Sequence, residues 1–361
     1  MDQDYSQILI DQTARLFAQR VTNDGLARAD RGEWAAALWT DVREAGLPHA
    51  LVQESAAGVG LPWRDVAALI RLAGYYAVPL PLPETILANW LWCNVGGEVL
   101  EGPVVVAPLH YGDRISLIAN GEYFVASGKA RHIPWLSAAD HILVHAIGPG
   151  DREYLCLIGN QAGSEALRRN VANEPRQAFE LTDFKIPVSD VRPLAKRLGE
   201  LGVIPLVAAM RAQQIVGAME RCVEFALRYA NERVQFGRPI AKFQVIQQML
   251  AVAAGQLAAA TAAADALAEM DAPDENPFVV AVAKARCSEA VGQVAAICHQ
   301  VHGAMGFTRE HPLHFFTRRL WAWRDEGGSE TFWQEWIGRK VSAKGGDALW
   351  PMIVDGQLLG D

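Results

Sequence analysis

Arg233-Val234-Gln235-Phe236-Gly237-Arg238-Pro239-Ile240, followed by Phe243-Gln244, stands between two of the longest helix-forming runs in the chain. A tight turn at Gly237 would present an arginine, an amide and an aromatic ring together. A guanidinium pairs with phosphate through two parallel hydrogen bonds, and a phenylalanine ring can cover a flat ring system. An ordinary helix–helix loop with a solvated arginine has the same composition, so both readings stand at this point. The run before the segment, Ile204 to Asn231, and the alanine-rich run after it, Gln244 to Met270, both read as helices. Asn276-Pro277 reads as a capping residue followed by proline in the first helical position, opening a third helix that reaches about Val301. Short connections between these helices predict antiparallel packing as a bundle. Two shorter helices, near Glu310 to Trp323 and Ser329 to Ser342, complete it.

Upstream the texture changes. From about 102 to 190 short β-branched runs appear, including Val104 to Val106, Ile115 to Ile118, Tyr123 to Val125 and His141 to Val144. Asn120-Gly121 between two of them signals a hairpin. Further upstream, Trp34 to Ala45 reads as a helix stopped at Gly46, and Trp63 to Tyr76 as another. Pro79, Pro81 and Pro83 break the chain before a helix near Glu84 to Trp92. Helices, strands, helices is an α+β order. It predicts an N-terminal helical domain over 1–100, a middle antiparallel β-domain over 101–192, and a C-terminal helical bundle over 193–361.

The composition narrows the functional classes. The 361 residues are 51% hydrophobic and 20% charged, with a net charge of −8. That balance suits a packed globular chain and argues against a nucleic-acid binder, whose phosphate partner demands positive charge. Runs of about 18 uncharged apolar residues are lacking, and MDQDYSQ has no export pattern, so a cytoplasmic protein without a membrane span is expected. Five scattered cysteines without a CxxC pair predict neither a disulfide framework nor a zinc cluster.

A second segment carries chemistry: Gln300-Val301-His302-Gly303-Ala304-Met305-Gly306-Phe307. Small residues after a helix let backbone N–H groups approach a diphosphate, although a helix stop needs the same glycines. Together, Arg233 to Gln244 and Gln300 to Pro312, with Glu54 to Gly60 and the Pro79 to Glu84 region, resemble the acyl-CoA dehydrogenase family over nearly the whole length. The phrase Gly306-Phe307-Thr308-Arg309-Glu310-His311 is most similar to the short subfamily with heteromeric and steroid-degrading members. Asn173-Glu174-Pro175-Arg176 lies outside the resemblance and receives no role.

The resemblance implies the three-domain fold with a C-terminal four-helix bundle, and FAD held where subunits meet. Arg233, Gln235 and Phe236 would touch the FAD of a neighbouring subunit. Ile240, Phe243 and Gln244 would line the adenine end, and Gln300, Gly303 and Ala304 the diphosphate. It implies α,β-dehydrogenation of an acyl-CoA thioester, with electrons passed to an electron-transfer flavoprotein, and a homodimer, homotetramer or heterotetramer. The acyl group would come from fatty acid or steroid side-chain degradation.

The chain departs from the family at the base. Many members carry it in a Glu-Gly-Thr turn before the last helix; here the stretch reads Asp325-Glu326-Gly327-Gly328-Ser329-Glu330. Counting from Gln300 without gaps puts the base position on Gly327, and a shift of one residue puts it on Glu326. The alternative family position falls near Val207, where no acid lies between Ile204 and Met219. Glu326 is therefore the candidate base, and Ser329, in the Thr place, joins the candidate flavin contacts. Glu330 reads as a first-turn acid behind the capping Ser329.

The β-domain also departs. Ala107-Pro108-Leu109-His110-Tyr111-Gly112-Asp113 stands where relatives have a Thr-Glu-Pro…Gly-Ser-Asp stretch, and His132-Ile133-Pro134 where they have Trp-Ile-Thr. A hydrolytic His110–Asp113 pair lacks a Gly-x-Ser-x-Gly elbow. His299, His302, His311 and His314 form two H-x-x-H pairs, but no ligand set is evident and no metal is expected. Trp321, Trp323, Trp333, Trp336 and Trp350 read as core or interface. Two further readings remain: a non-catalytic partner subunit of a heteromer, and a flavin oxidase or monooxygenase on the same fold.

Overall fold

The computed structural model describes residues 3–107, 113–160, 167–195, 198–199 and 201–355. The abbreviated stretch at 108–112, with His110, lies outside them. In chain order the elements are α1 (Gln3–Arg20), α2 (Asn23–Arg31), α3 (Ala36–Glu44), α4 (Trp63–Tyr75) and α5 (Leu82–Asn94). Then come β1 (Val104–Ala107), β2 (Ile115–Asn120), β3 (Tyr123–Pro134), β4 (His141–Ile147), β5 (Glu153–Gly159), β6 (Arg168–Arg169), β7 (Pro175–Pro187) and β8 (Val191–Pro193). They are followed by α6 (Ile204–Glu232), β9 (Val234–Gln235), β10 (Arg238–Pro239), α7 (Gln244–Ala268), α8 (Pro277–His302), α9 (Leu313–Asp325), α10 (Glu330–Lys344) and α11 (Leu349–Asp355). The contacts fall into two compact units: Met1–Leu16, Ala27–Val66 and Pro79–Val207 in one, Phe17–Leu26, Ala67–Val78 and Ala208–Asp361 in the other.

The first unit is organised by a sheet in the order β6-β7-β3-β2-β4-β5-β8, with β1 added beside β4. Its core includes Ile115, Ile142, Val144, Ile158 and Phe179. The Asn120–Gly121 signal marks the β2–β3 hairpin: Asn120 closes it opposite Tyr123, and Gly121 takes a left-handed φ of 63° in the turn. The neighbour pairs are antiparallel except β1 with β4, which run parallel from Val104↔His141 to Ala107↔Val144, and a single parallel bridge from β2 to β4. The β2–β3 hairpin lies between β1 and β4 in the chain, a connection long enough for parallel pairing. Helix α5 is buried almost throughout. Its Thr85 hydroxyl donates to the Val104 carbonyl at 2.9 Å and accepts from the Val104 N–H at 3.2 Å, fixing the start of β1.

The second unit is a helical bundle around α6, α7 and α8. Gly74 and Gly217 let α4 and α6 meet backbone to backbone, because a Cβ on Gly217 would lie 2.0 Å from the Arg71 carbonyl. Arg71 then reaches Gln213 at 2.8 Å and Asp265 at 2.5 Å, tying α4, α6 and α7. The Asn276 side chain caps α8, accepting from the N–H groups of Phe278 and Val279 at 3.0 and 3.3 Å. Trp323, Trp333 and Trp336 are core, whereas Trp321 and Trp350 are exposed. Four of the five cysteines are buried and Cys93 is half-buried. One helix, α7, is long and apolar enough to cross a membrane by length and composition, and 28% of that stretch is buried.

Candidate active site

The segment Arg233 to Gln244 folds as a minimal β-hairpin. Val234 pairs with Pro239 and Gln235 with Arg238, leaving Phe236-Gly237 as a two-residue turn. Both turn residues have positive φ, 51° and 78°, which is the twist a two-residue hairpin prefers. Glycine takes that conformation freely; phenylalanine does so at a cost. Yet Phe236 is 92% exposed, touching Phe243 edge-on with ring centres 6.1 Å apart. Arg238 lies over the Phe243 ring at 4.4 Å. Arg233, Gln235 and Gln244 are exposed, and Ile240 and Phe243 half-buried.

The end of α8 supplies the second part. Gly303 leaves the helix with φ 57° and ψ −138°, and a Cβ there would meet open space. Gln300, Gly303 and Ala304 are exposed. Behind them the histidines pack as rings. The His302 ring packs at a tilt against Tyr229, with centres 4.7 Å apart, and against His311, at 4.4 Å, and donates Nδ1–H to the Cys298 carbonyl at 2.7 Å. His299 stacks on the exposed Phe307 at 4.7 Å. Burial, with the charges of His302 and His314 added at His299 and His311, pushes His299, His302 and His311 down, His311 to about 4. Among the described residues no group of three or more metal-type side chains is arranged to hold an ion.

The turn between α9 and α10 holds Glu326. Gly327 and Gly328 follow with φ of 68° and 94°. A Cβ on Gly328 would lie 2.6 Å from the Trp333 indole nitrogen, so only glycine fits there. The Trp333 N–H donates to the Gly327 carbonyl at 2.9 Å, and Ser329 caps α10 by accepting from the Phe332 N–H at 3.3 Å. Glu330 pairs with Arg324 and so belongs to the frame of the turn. Glu326 keeps 21% of its side chain exposed; its Oε2 accepts from Nε and Nη2 of Arg211, both at 2.9 Å, and Arg211 is 3% exposed. Arg211 also donates to Gln214 and lies over the Trp323 ring. Beneath the turn, the wholly buried Lys284 ammonium donates to the Arg324 carbonyl at 2.7 Å, the Gly328 carbonyl at 2.8 Å and the Ser288 hydroxyl at 2.9 Å. Burial pushes it down to about 7, against the pull of Cys287, Asp325 and Glu326.

These contacts define two stations on one pair of helices. Arg211 of α6 and Lys284 of α8 meet at the Glu326 turn. Eighteen residues later on each helix, the rings of Tyr229 and His302 pack against each other. At 1.5 Å per residue the stations are about 27 Å apart. The hairpin and the glycine bend leave the chain at the second station, Glu326 at the first. One planar ring system cannot touch both within a single chain. Arg211 and Lys284 were not singled out by sequence reasoning. Their signal was present: Arg211 is the only charge between Ile204 and Met219, and Lys284 interrupts an apolar run.

The comparisons with known proteins bear on the fold that carries these residues. The family description "acyl-CoA dehydrogenase, C-terminal domain" matches residues 206–341, from α6 through most of α10. The acyl-CoA dehydrogenase IpdE2 of Mycobacterium tuberculosis is 27% identical over 87% of this chain and 90% of its own length. Among solved structures, the ChsE4-ChsE5 complex from Mycobacterium tuberculosis superposes with a TM-score of 0.85 at 21% identity, covering 95% of this chain and 98% of the matched one. Butyryl-CoA dehydrogenase from Megasphaera elsdenii gives 0.81 at 18% identity, covering 94% and 99%. The hairpin, the bend and the glycine turn thus sit on a shared α+β architecture, within the stretch that carries an acyl-CoA dehydrogenase C-terminal domain, and over most of its length the chain is similar to acyl-CoA dehydrogenases, which are oxidoreductases.

Proposed function

We propose that this chain carries out FAD-dependent α,β-dehydrogenation of an acyl-CoA thioester, with Glu326 as the base. The observation that carries the reading is the α9–α10 turn. Two consecutive left-handed glycines aim one partly exposed carboxylate at the side of α6, over a buried ammonium that clamps the turn's carbonyls. A base must be fixed within hydrogen-bond reach of the proton it takes, and this turn is built to fix one. Glu326 would remove the proton from the carbon next to the thioester carbonyl. Bound FAD supplies the hydride acceptor. Arg211 positions the carboxylate through Oε2, and substrate entry has to loosen that pair.

The residues of the second station fit the rest of the cofactor. Phe236 holds a costly conformation while exposed, and Arg233 and Gln235 flank it, which suits a cap over a flat ring system on another molecule. The open space at Gly303 beside Ala304 and Gln300 suits a diphosphate, with Ile240, Phe243 and Gln244 at the adenine end; Ser329, at the first station beside Glu326, would lie near the flavin. The two-station geometry supports a FAD shared between chains, hence at least a dimer. The exposed apolar face of α7 supports the same assembly. Electrons would pass to an electron-transfer flavoprotein; the acyl group would be a fatty acyl or steroid-derived chain.

The test is the visible spectrum of the purified protein before and after a panel of acyl-CoA thioesters. Bleaching of a yellow homo-oligomer supports the reading. Glu326→Gln should keep the flavin and lose the bleaching, and unchanged turnover dismisses Glu326 as base. The Arg211–Glu326 pair favours a second reading, a partner subunit whose own carboxylate is sequestered. Colourless protein that gains flavin only with a co-expressed relative selects it.

A further inference from the structure

Lys284 of α8 is a wholly buried ammonium that takes no step in the proposed dehydrogenation. Its hydrogen bonds end on neutral acceptors: the Ser288 hydroxyl and the carbonyls of Arg324 and Gly328. An ammonium has three donors, so all of them are used. Burying a charge against neutral groups is costly, and an apolar side chain would pack α8 at less cost. Burial accordingly pushes Lys284 well below the ordinary lysine range, to about 7. The compensating benefit must lie in what these donors hold.

They hold the backbone on both sides of Glu326. Arg324 stands in the last turn of α9, where carbonyls lack partners within the helix and a cation is favoured. Gly328 follows Glu326 at the same spacing at which Arg324 precedes it, in a left-handed conformation with φ 94°. Between them the Gly327 carbonyl accepts from the indole N–H of the fully buried Trp333 at 2.9 Å. The Ser288 hydroxyl adds a bond to the Arg324 carbonyl at 3.2 Å. The carbonyls of Arg324, Gly327 and Gly328 are thus tied to side chains of two helices, α8 and α10. The Glu326 side chain is held differently: its Oε2 accepts from Arg211, and 21% of it remains exposed.

We infer that Lys284 is a positioning residue for Glu326: it staples the backbone of the α9–α10 turn, so that the carboxylate leaves Arg211 by rotation of its own side chain and not by movement of the turn. This role presupposes that Glu326 is the base. A turn free to shift would present the carboxylate at a varying distance from the proton, and a displacement of about 1 Å can cost about a hundredfold in rate. Ser288 has the lesser part, because its loss leaves both carbonyl bonds of Lys284 in place.

Two readouts test this, the first without turnover. In protein carrying isotope-labelled tryptophan, Trp333→Phe identifies the Trp333 indole signal, and hydrogen exchange of that N–H reports the turn. Lys284→Met should speed the exchange by about tenfold or more, and Ser288→Ala by about threefold at most. Adding an acyl-CoA thioester to the wild type should leave the exchange unchanged or slower; faster exchange would mean that the turn opens to release the carboxylate, and overturns the inference. The second readout is rapid-mixing reduction of the bound flavin by the thioester of the panel that reduces the wild type fastest. Lys284→Met should lower the limiting rate by about tenfold to a hundredfold. The half-saturating concentration should stay within about twofold and the flavin content should not change. Lys284→Gln, a shorter side chain that can still donate to one carbonyl, should lose less, and it takes the place of the methionine variant if that one does not fold. Wild-type exchange in the Lys284 variants, a limiting rate within about twofold of wild type, or a Ser288→Ala loss as large as that of Lys284→Met overturns the inference. Normal turnover of Glu326→Gln is the separate result that removes the base, and the indole exchange is read without it.

Discussion

Glu326 and Arg211 form the pair on which the chemistry of single residues turns. Arg211 is almost wholly buried, so removing its partner strands a guanidinium, and removing Arg211 strands a carboxylate with limited access to water. Breaking a buried pair on one side costs several kcal/mol, discounted here because Glu326 is partly exposed. Arg211→Met should therefore destabilise the chain by about 1–3 kcal/mol, and Arg211→Met with Glu326→Gln should recover most of that loss. A denaturant double-mutant cycle measures it; additive single effects would remove the pair from the argument. Lys284 makes a pH-dependent claim. Burial lowers its pKa to about 7 from an ordinary 10.5. Between those values the unfolded chain holds one more proton than the native chain, so this group's contribution makes stability rise with pH across that window. Below about pH 7 both states are charged and the full burial penalty remains. Lys284→Met should flatten the rise, and the difference between the two unfolding curves from pH 7 to 10 isolates it. Parallel curves would show that the ammonium is not depressed.

Elements were legible wherever one local rule governed them. Asn276-Pro277 announces α8 because a side-chain acceptor and a missing N–H are both local, and Gly46 and Asn120-Gly121 punctuate the chain for the same reason. The hairpin at Phe236-Gly237 was legible as a turn, but not as a turn with phenylalanine in a left-handed conformation, since no propensity favours that choice. The Glu326 turn was legible only to within one residue, because Gly327 and Gly328 cannot be told apart without the indole of Trp333 packed against one of them. A cavity of about 270 Å³ in the sheet unit, lined by Lys129, Arg131, His132, Arg168 and Arg176, was not legible at all: it depends on a β3–β7 bulge and on the β6–β7 register, which bring these residues together. For the hairpin, strain without burial implies that its benefit is collected on another molecule. Phe236→Gly should raise the stability of the isolated chain by about 1 kcal/mol by relieving the left-handed conformation. It should also lower flavin retention on a desalting column. Equal flavin content in wild type and variant would show that Phe236 caps nothing.

At the scale of the whole molecule, an apolar helix for a core and an apolar helix for a partner have the same sequence texture. That is why α7 reads as a bundle helix and yet remains mostly exposed. Acid response is the other property of the whole chain, and it follows from the histidine rings where α6, α8 and α9 converge. Burial holds His299, His302 and His311 below the ordinary histidine value of 6.5, and the charges of His302, His314 and Arg228 add to this at His311, which falls to about 4. A folded-state pKa below the unfolded one means that the native chain stays neutral while the unfolded chain takes up protons. The associated stability is complete above about pH 6.5 and is lost as pH falls, with the loss from His311 finished only near pH 4. Carboxylates contribute to acid unfolding too, but chiefly below the ordinary carboxylate range of about 4, so the window from 6.5 to about 4.5 belongs mainly to these rings. His311→Gln keeps a polar side chain of similar size and removes one titrating group. Its denaturation midpoint should fall less steeply than wild type between pH 6.5 and 4.5 and run parallel to it above pH 7. A wild-type midpoint that stays level across that window would mean the rings are already charged in the native state, and the packing of His302 between Tyr229 and His311 would then need another account.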